Sequence, residues 1–492
     1  MQTTTETKPR TSIRLGGFQK PILRRSDVRA LAMRRLRAGF DSAETTDHNR
    51  RHWARADSLS PDAAAGVEVR RTLRNRARYE VANNSYARGI VLTLANDTVG
   101  TGPRLQMLSD DPTLNRTVET EFHLWSHAVG LAEKLRTMRA ARSQDGESFA
   151  ILAFNPRVEH TVQIDLLLIE ADQVTSPLRH ILDDHEVDGL VLDDHGNPVA
   201  YRVMKDHPGG PNRMAFDDFT TVPASAMIHV FRQDRPGQHR GIPEITPALP
   251  LFAQLRRFTL AVLSAAEAAA DFAGILYTDA PANGEADSVE PMDLIELERN
   301  MLLTMPGGWK MSQVEPMQPA TTYAEFKKEI LNEIARCLNM PFNIAAGNSS
   351  GYNYASGRLD HQTYFKSIRV DQSFMASRIL DRVLAAWLRE YAVLVRNFDL
   401  LRALPPHQWF WDGFEHVDPS KEASAQETRL KNHTTTLAHE YARQGKDWEM
   451  ELRQRAKEIA LMNELGLPAS DAKPQTGPAP EPNPTEENTG DE

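Results

Sequence analysis

Apolar side chains recur at helical spacing from residue 67 to 99, where Leu73, Ala77 and Val81, then Ile90 and Leu94, return to common faces. The run closes on Gly100-Thr101-Gly102-Pro103. The spacing predicts a second amphipathic helix over 113–139, with Val118, Phe122, Trp125 and Val129 three or four residues apart. From 148 to 231 the period shortens. Apolar runs at 149–154, 162–169, 189–192, 199–204 and 227–231 predict strands, and Asp193 to Pro198 supplies turn chemistry for a hairpin inside GLVLDDHGNPVAYRVM. A long helix is expected over 247–273, placing Leu251, Leu255, Phe258, Val262, Ala266 and Ala269 on one stripe. Its second half carries little bulk, which suits close helix packing or reflects alanine's helix propensity alone. A strand from Gly274, a short helix near 291–301 and a strand pair within 309–317 follow. Helix then returns over 321–340, with Phe326, Ile330, Ile334 and Leu338 one turn apart, and stops at Pro341. The tract GNSSGYNYASG from Gly347 breaks the pattern, and helix resumes from 358 to 395, a rod of ~55 Å at ~1.5 Å per residue. Residues 419–465 are again helical, with an interruption near Gly445. Residues 1–60 read as a mostly mobile arm, and the Pro-, Glu- and Asn-rich segment after Pro468 as a disordered tail.

Composition fits this picture of several folded layers. With 40% hydrophobic and 25% charged residues over 492 positions, most of the chain can bury a core, and the length calls for more than one structural unit. No apolar stretch is long enough to span a bilayer, and the first twenty residues lack a signal-peptide core, so a soluble, non-secreted protein is expected. The single cysteine, Cys337, sits inside an apolar helical pattern and fits a reducing compartment. The net charge of −10 is unevenly spread: residues 1–100 hold 19 Lys and Arg against 10 Asp and Glu, whereas the rest holds 38 against 57. Arg24, Arg25, Arg29, Arg34, Arg35 and Arg37 could meet nucleic acid or an acidic protein, or could simply be solvated. The acidic remainder should not grip phosphate tightly.

Motifs for chemistry are missing. The chain has no GxxxxGK[ST] loop to cradle phosphates, no GxSxG elbow, no HExxH and no paired CxxC. His123 and His127 share a helix face without a third ligand, and Asp183, Asp184, His185, Asp193, Asp194 and His195 fit turns better than a metal. No enzyme activity, metal or cofactor is expected.

The run RNRARYEVANNSYARGIVLTLANDTVGTGPRLQ, from Arg74 to Gln106, resembles the N-terminal signature of the lambda-type phage portal family: an arginine-rich helix, N-x-Y-A-x-G, a second helix and a V-G-x-G turn. Further blocks follow in the family's order. They are DGESFAIL from Asp145, RPGQHRGIP from Arg235, EIARCLNMP from Glu333, DPSKEASAQETRL from Asp418 and KDWEMELRQRAKEIALMNELGLP from Lys446.

This resemblance implies a predominantly helical α+β portal fold with wing, stem, clip and crown regions. On this chain it implies a basic arm at 1–60, a wing at 61–246, stem helices at 247–273 and 321–341, and a clip at 274–320 between them. A tunnel loop at 342–358, a long channel helix at 359–395, wing and crown at 396–468 and an acidic tail at 469–492 complete the plan. Leu255, Phe258, Val262, Ala266, Ala269, Phe326, Ile330 and Ile334 would pack the stem. Asn348, Ser349, Ser350, Tyr352, Asn353, Tyr354, Ser356 and Arg358 would face DNA in the channel. The implied partners are eleven further copies in a ring, duplex DNA, the terminase large subunit, capsid or scaffold proteins and head-tail connector proteins. The implied location is the virion, with assembly in the host cytoplasm. Two other readings remain: a helical nucleic-acid-binding oligomeric scaffold, and a portal-like protein of a defective prophage or gene-transfer particle.

Overall fold

The structure is a computed structural model. It describes residues 46–47, 49–177, 185–210, 218–271, 275–278, 309–312, 323–401, 403–413 and 419–467, with backbone alone at 268–271, 275–278, 309, 311–312, 354–355, 398 and 401. The chain divides into two units, residues 1–59 and 60–492. The first is represented by a turn-rich stretch, and everything below concerns the second.

Helix α1 (Val67–Asn83) and helix α2 (Ser85–Val99) replace the single helix that periodicity predicts. Asn84 makes the break. Its backbone is extended, and its side-chain oxygen accepts from the N–H groups of Tyr86 and Ala87, so it caps α2 while ending α1. The same happens further on: α3 (Pro112–Ala128) and α4 (Leu131–Asp145) divide at Gly130, whose left-handed backbone (φ 63°) turns the chain. Between the two pairs lies strand β1 (Arg104–Met107). It pairs antiparallel with a strand some 300 residues later, which no local pattern could announce.

Strands β2 (Glu147–Phe154) and β3 (Ile164–Ile169) form an antiparallel sheet with β8 (Met227–Phe231), in the order β3-β2-β8. A second sheet, ordered β4-β5-β6-β7, holds β4 (Glu186–Val187), β5 (Leu190–Leu192), β6 (Pro198–Met204) and β7 (Phe219–Pro223). The β5–β6 hairpin turns where expected. Asp193 there accepts from the backbone N–H of His195 (2.9 Å) and Asn197 (2.8 Å), which is the turn role and not a metal role. Alternation along β2 is what joins the layers: Phe149 packs with Tyr201, Leu190 and Val222 toward the second sheet, while Ala150 faces α3 and α4.

The long helix α5 (Leu249–Asp271) leads to β9 (Ile275–Thr278), which pairs antiparallel with β10 (Trp309–Ser312), and α6 (Tyr323–Arg336) follows. The rest of the expected clip, the short helix near 291–301 included, lies outside the described residues, as do most of the arm and the acidic tail. After α7 (Phe342–Ala346), helix α8 spans Tyr354–Met375. It continues through a π-helical segment, Ala376–Leu380, into α9 (Asp381–Leu394). The expected rod is thus nearly continuous but starts four residues earlier than periodicity suggests. Strand β11 (His407–Phe410) returns to β1. Three helices end the described chain: α10 (Pro419–Lys431), α11 (Leu437–Arg443) and α12 (Trp448–Glu464). The break between the first two, where His433 takes φ 55°, adds to the one near Gly445.

Two large cores result. Trp125, Phe122 and Trp387 centre one, with the Phe122 and Trp387 rings edge to face at 5.5 Å. Ile90, Leu94, Phe252, Ile334, Tyr364 and Ile368 build the other, beneath the root of α5 and α6.

Candidate functional site: a helix pair, its loop and an ionic core

Helices α5 and α6 pack side by side in opposite directions. Near the far end Tyr323 OH lies 3.2 Å from Thr259 Oγ1, and the Phe258 and Phe326 rings meet at 4.8 Å, edge to face. At the root, Leu249 and Phe252 share a core with Ile334 and Leu338. Lys327 sits over the Tyr86 ring at 5.0 Å and Arg256 over Tyr79 at 4.9 Å, fastening the pair to α1 and α2. Of the residues expected to pack a stem, Leu255 and Ile334 are buried, and Phe258, Val262 and Ile330 are half-buried. Phe326 is 48% exposed and Ala266 is exposed, while the side chain of Ala269 lies outside the described set. Leu260 and Leu263 are 58% and 55% exposed. Among the described residues, Leu260 and Leu263 on the outer half of α5 and Phe326 on α6 are thus apolar side chains left exposed within one chain.

The loop after α7 spans 347–353 and folds on itself. Asn348 donates its N–H to Asn343 O and accepts from Ser350 N–H at 2.9 Å; Tyr352 N–H reaches Ser349 O at 3.2 Å. Asn353 is the cap of α8, its side-chain oxygen taking Ser356 N–H at 2.8 Å. Asn348, Ser349, Ser350 and Asn353 are exposed and Tyr352 is half-buried. Tyr354, Ser356 and Arg358 belong to the first turns of α8 and not to the loop, because the Asn353 cap starts the helix early. Ser356 and Arg358 are exposed there.

Sequence reasoning missed an ionic core. Arg70, Arg74 and Arg78 recur every four residues along α1, and all three point inward. Glu147, at the start of β2, is fully buried against Arg240 Nη2 (2.7 Å), Arg74 Nη2 (3.4 Å) and His229 Nε2 (3.0 Å). Arg240 also meets Asp188 (3.0 Å), which pairs with Arg70, while Asp172 binds Arg74 (2.8 Å) and Arg78 (2.9 Å) and Asp145 binds Arg78 (2.7 Å). Four guanidinium groups thus face four carboxylates. Burial pushes the Glu147 carboxyl up, but Arg240 and His229 outweigh it and hold the group well below the usual carboxylate range. Burial pushes the His229 imidazole down despite Glu147, so its Nε2–H donates to that carboxylate. The positive balance of residues 1–100 accordingly overstates what a partner meets, since these three arginines are neutralised inside the chain.

A second ionic junction lies beside it. Arg139 and Arg142 of α4 each bridge Glu244, just before α5, and Asp371 of α8, at 2.8–2.9 Å. Burial raises the Glu244 carboxyl, and Arg139, Arg142 and Arg232 reverse this and bring it to about 2. The root of α5 and the helix after the loop are therefore tied to the same two arginines.

Among the described residues one grouping has metal-ligand spacing: Glu170, Asp172 and His207. Arg74 and Arg78 already occupy the Asp172 oxygens, so ion pairing accounts for it. His123 and His127 stack edge to face at 4.5 Å on an exposed helix face. Cys337 is half-buried, and burial pushes its thiol up to about 11.

The family described as phage portal protein, lambda family, matches residues 47–372, well over half of the chain. This chain belongs to the lambda family of phage portal proteins. The probable portal protein of Halomonas phage phiHAP-1 is 26% identical over 431 residues, covering 81% of this chain and 82% of that protein. Among solved structures, a chain in the neck of a native gene transfer agent particle, computed with C12 symmetry, gives a TM-score of 0.43 at 14% identity, covering 75% of this chain and 92% of its own. A chain in the neck of the empty particle, computed with C6 symmetry, gives 0.46 at 15%, covering 79% and 99%. At that level of similarity nothing about symmetry or partners transfers.

Two of the portal-family blocks read in the sequence, from Asp145 and from Arg235, are spatial neighbours. Asp145-Gly146-Glu147 and Arg240-Gly241 meet backbone to backbone: a Cβ on Gly146, at φ +90°, would lie 2.5 Å from the carbonyl carbon of Ile242, and one on Gly241 would overlap the Gly146 carbonyl. Two of the blocks that carry the portal resemblance thus form one glycine-tight, ion-paired joint. The C-terminal blocks, on α10 and α12, lie beyond the matched residues.

Proposed function

We propose that this portal-family chain acts as a structural, non-enzymatic subunit. Twelve copies would close a ring at one capsid vertex, with duplex DNA packaged and later ejected along its axis. The observation that carries this reading is the uncovered outer half of the α5/α6 pair: Leu260, Leu263 and Phe326 expose an apolar surface of a kind that marks an interface. Covered by the same pair of neighbouring copies, that surface closes a head-to-tail cycle and leaves an axial opening. The α5/α6 pair would be the stem, and the segment between the two helices the clip. The clip would meet the terminase large subunit during packaging and head-tail connector proteins afterwards. The exposed polar groups of Asn348, Ser349, Ser350 and Asn353, with Ser356 and Arg358 on the following helix turn, would face the DNA. One charge per subunit among neutral groups gives weak contacts that add around the ring without pinning the duplex. The acidic balance beyond residue 100 works in the same direction. The site of action would be the capsid vertex of the virion, reached after assembly in the host cytoplasm, with capsid or scaffold proteins as neighbours.

A packaging assay tests the DNA-facing role. Particles assembled with a chain lacking residues 348–352 should take up DNA yet retain less of it; retention equal to wild type would remove the loop from the account.

A further inference from the structure

The face of α6 turned from the buried Leu331, Ile334 and Leu338 carries a groove of about 620 Å³, whose lining includes Phe326, Glu329, Ile330, Glu333, Arg336 and Cys337. Its floor is partly apolar, and its charge is unbalanced, two carboxylates against one guanidinium. Glu325, Glu329 and Glu333 recur every four residues, a spacing at which like charges repel along a helix. The lysines between them are turned elsewhere: Lys327 sits over the Tyr86 ring at 5.0 Å and Lys328 over the Phe342 ring at 5.8 Å. Among the described residues neither Glu329 nor Glu333 forms an ion pair.

Helix α5 offers the complement. Arg257, Leu260, Ala261 and Ser264 are exposed on the face turned from Phe252 and Leu255, and the small side chains at 261 and 264 leave Leu260 and Arg257 standing as a ridge. From Leu249 to Ala266 the helix carries no acidic residue and two arginines. These differ in their surroundings: Arg256 meets Glu80 at 3.2 Å and the Tyr79 ring, whereas Arg257 forms no ion pair among the described residues. None of the four ridge residues lines the groove of its own chain.

We propose that the groove on α6 receives the α5 ridge of the adjacent copy, Leu260 entering beside Phe326 and Ile330 and Arg257 lying against Glu329 and Glu333. The inference rests on the ring reading above and adds which surfaces meet, since a head-to-tail cycle needs two different, complementary surfaces on every copy. Order along the helices fits the pairing. A rotation about an axis running along the pair keeps α5 and α6 antiparallel between copies, so the step from Leu260 to Arg257 runs the same way as the step from Phe326 to Glu329. The cation then lies among carboxylates that repel one another within their own helix, and the apolar ridge leaves water.

Complementation between two charge-reversed full-length chains, read by sedimentation velocity, tests it. Arg257→Glu sets an acidic ridge against an acidic groove, and Glu329→Arg with Glu333→Arg sets a basic ridge against a basic groove. Each chain alone should need roughly ten-fold more protein than wild type to form higher oligomers. Mixed in equal amounts they should assemble as wild type does, because every ridge then meets a groove of opposite charge. A second measurement uses Arg257→Lys, which keeps the charge. Carbodiimide coupling of oligomers built from equal parts of ¹⁵N-labelled and unlabelled chains should give mixed-label peptides that join position 257 to Glu329 or Glu333, and this decides the matter if a reversed chain does not fold. Wild-type assembly by either reversed chain alone, a mixture of folded chains that stays as dissociated as its parts, or coupling that reaches neither glutamate of another copy would overturn the pairing and leave the ring standing. A wild type that forms no higher oligomer would remove the ring reading and the pairing together.

Discussion

At the scale of single residues, the strongest commitments of the fold are charged. Glu147 is fully enclosed, and its partner Arg240 is 1% exposed. Replacing Arg240 with leucine would remove the closest cation from the buried Glu147 carboxylate, leaving it His229, the Gly241 N–H and the longer Arg74 contact, and breaking a buried pair from one side costs about 3–5 kcal/mol. Urea denaturation should therefore show Arg240→Leu destabilised on that scale, whereas Arg71→Leu, on the exposed face of α1, should change little. Acid should act on the same groups. The carboxyls of Glu147 and Glu244 sit below their unfolded values, so the stability they contribute is present above about 4.5 and drains away as pH falls toward about 2. Thermal melts should drop steeply below pH 4. A Glu244→Gln chain, weaker at neutral pH, should show a shallower acid slope; an equal slope would remove Glu244 from the explanation.

Elements tell a different story, since what local pattern could announce and what it could not separate cleanly. The β5–β6 hairpin, the strand runs of the first sheet and the paths of α5 and α6 were legible because apolar period and turn residues act locally. The apolar period did not show the divisions at Asn84 and Gly130, because apolar faces continue across both and only a cap or a left-handed residue marks the stop; the two-helix signature of the family resemblance alone announced the first. The β1–β11 ribbon was invisible for the same reason in a stronger form, its halves lying far apart in sequence. The ionic core was half visible: the four-residue spacing of Arg70, Arg74 and Arg78 was on the page, but charge alone reads as solvated until its partners are known. Of the candidate DNA-facing residues, the cap at Asn353 moves Ser356 and Arg358 onto a helix, so their spacing there is fixed. The α5/α6 pair carries its own prediction. Leu260→Glu with Leu263→Glu should leave the melting temperature of the single chain within a few degrees of wild type, since both side chains are exposed, yet abolish higher oligomers in sedimentation velocity. Unchanged oligomers would mean that the pair does not form the interface.

For the whole molecule, the competing reading is a DNA-binding scaffold that uses the basic first hundred residues. The two make opposite demands on free duplex. A scaffold holding several phosphates should bind tightly at low salt with a steep loss as salt rises, by about 0.9 in log affinity per log salt for each phosphate neutralised. A ring through which DNA slides should show little affinity for duplex ends at any salt, and fluorescence anisotropy across a salt series distinguishes them. The buried arginines of α1 favour the second outcome, because they are already neutralised inside the chain. The most direct test of the central claim is electron cryomicroscopy of the purified, assembled protein. The account predicts a closed ring of twelve copies whose α5/α6 pairs stand side by side around an open axial bore wide enough for duplex DNA. A particle solid along its axis, or one in which the α5/α6 pairs of neighbouring copies do not touch, would contradict it.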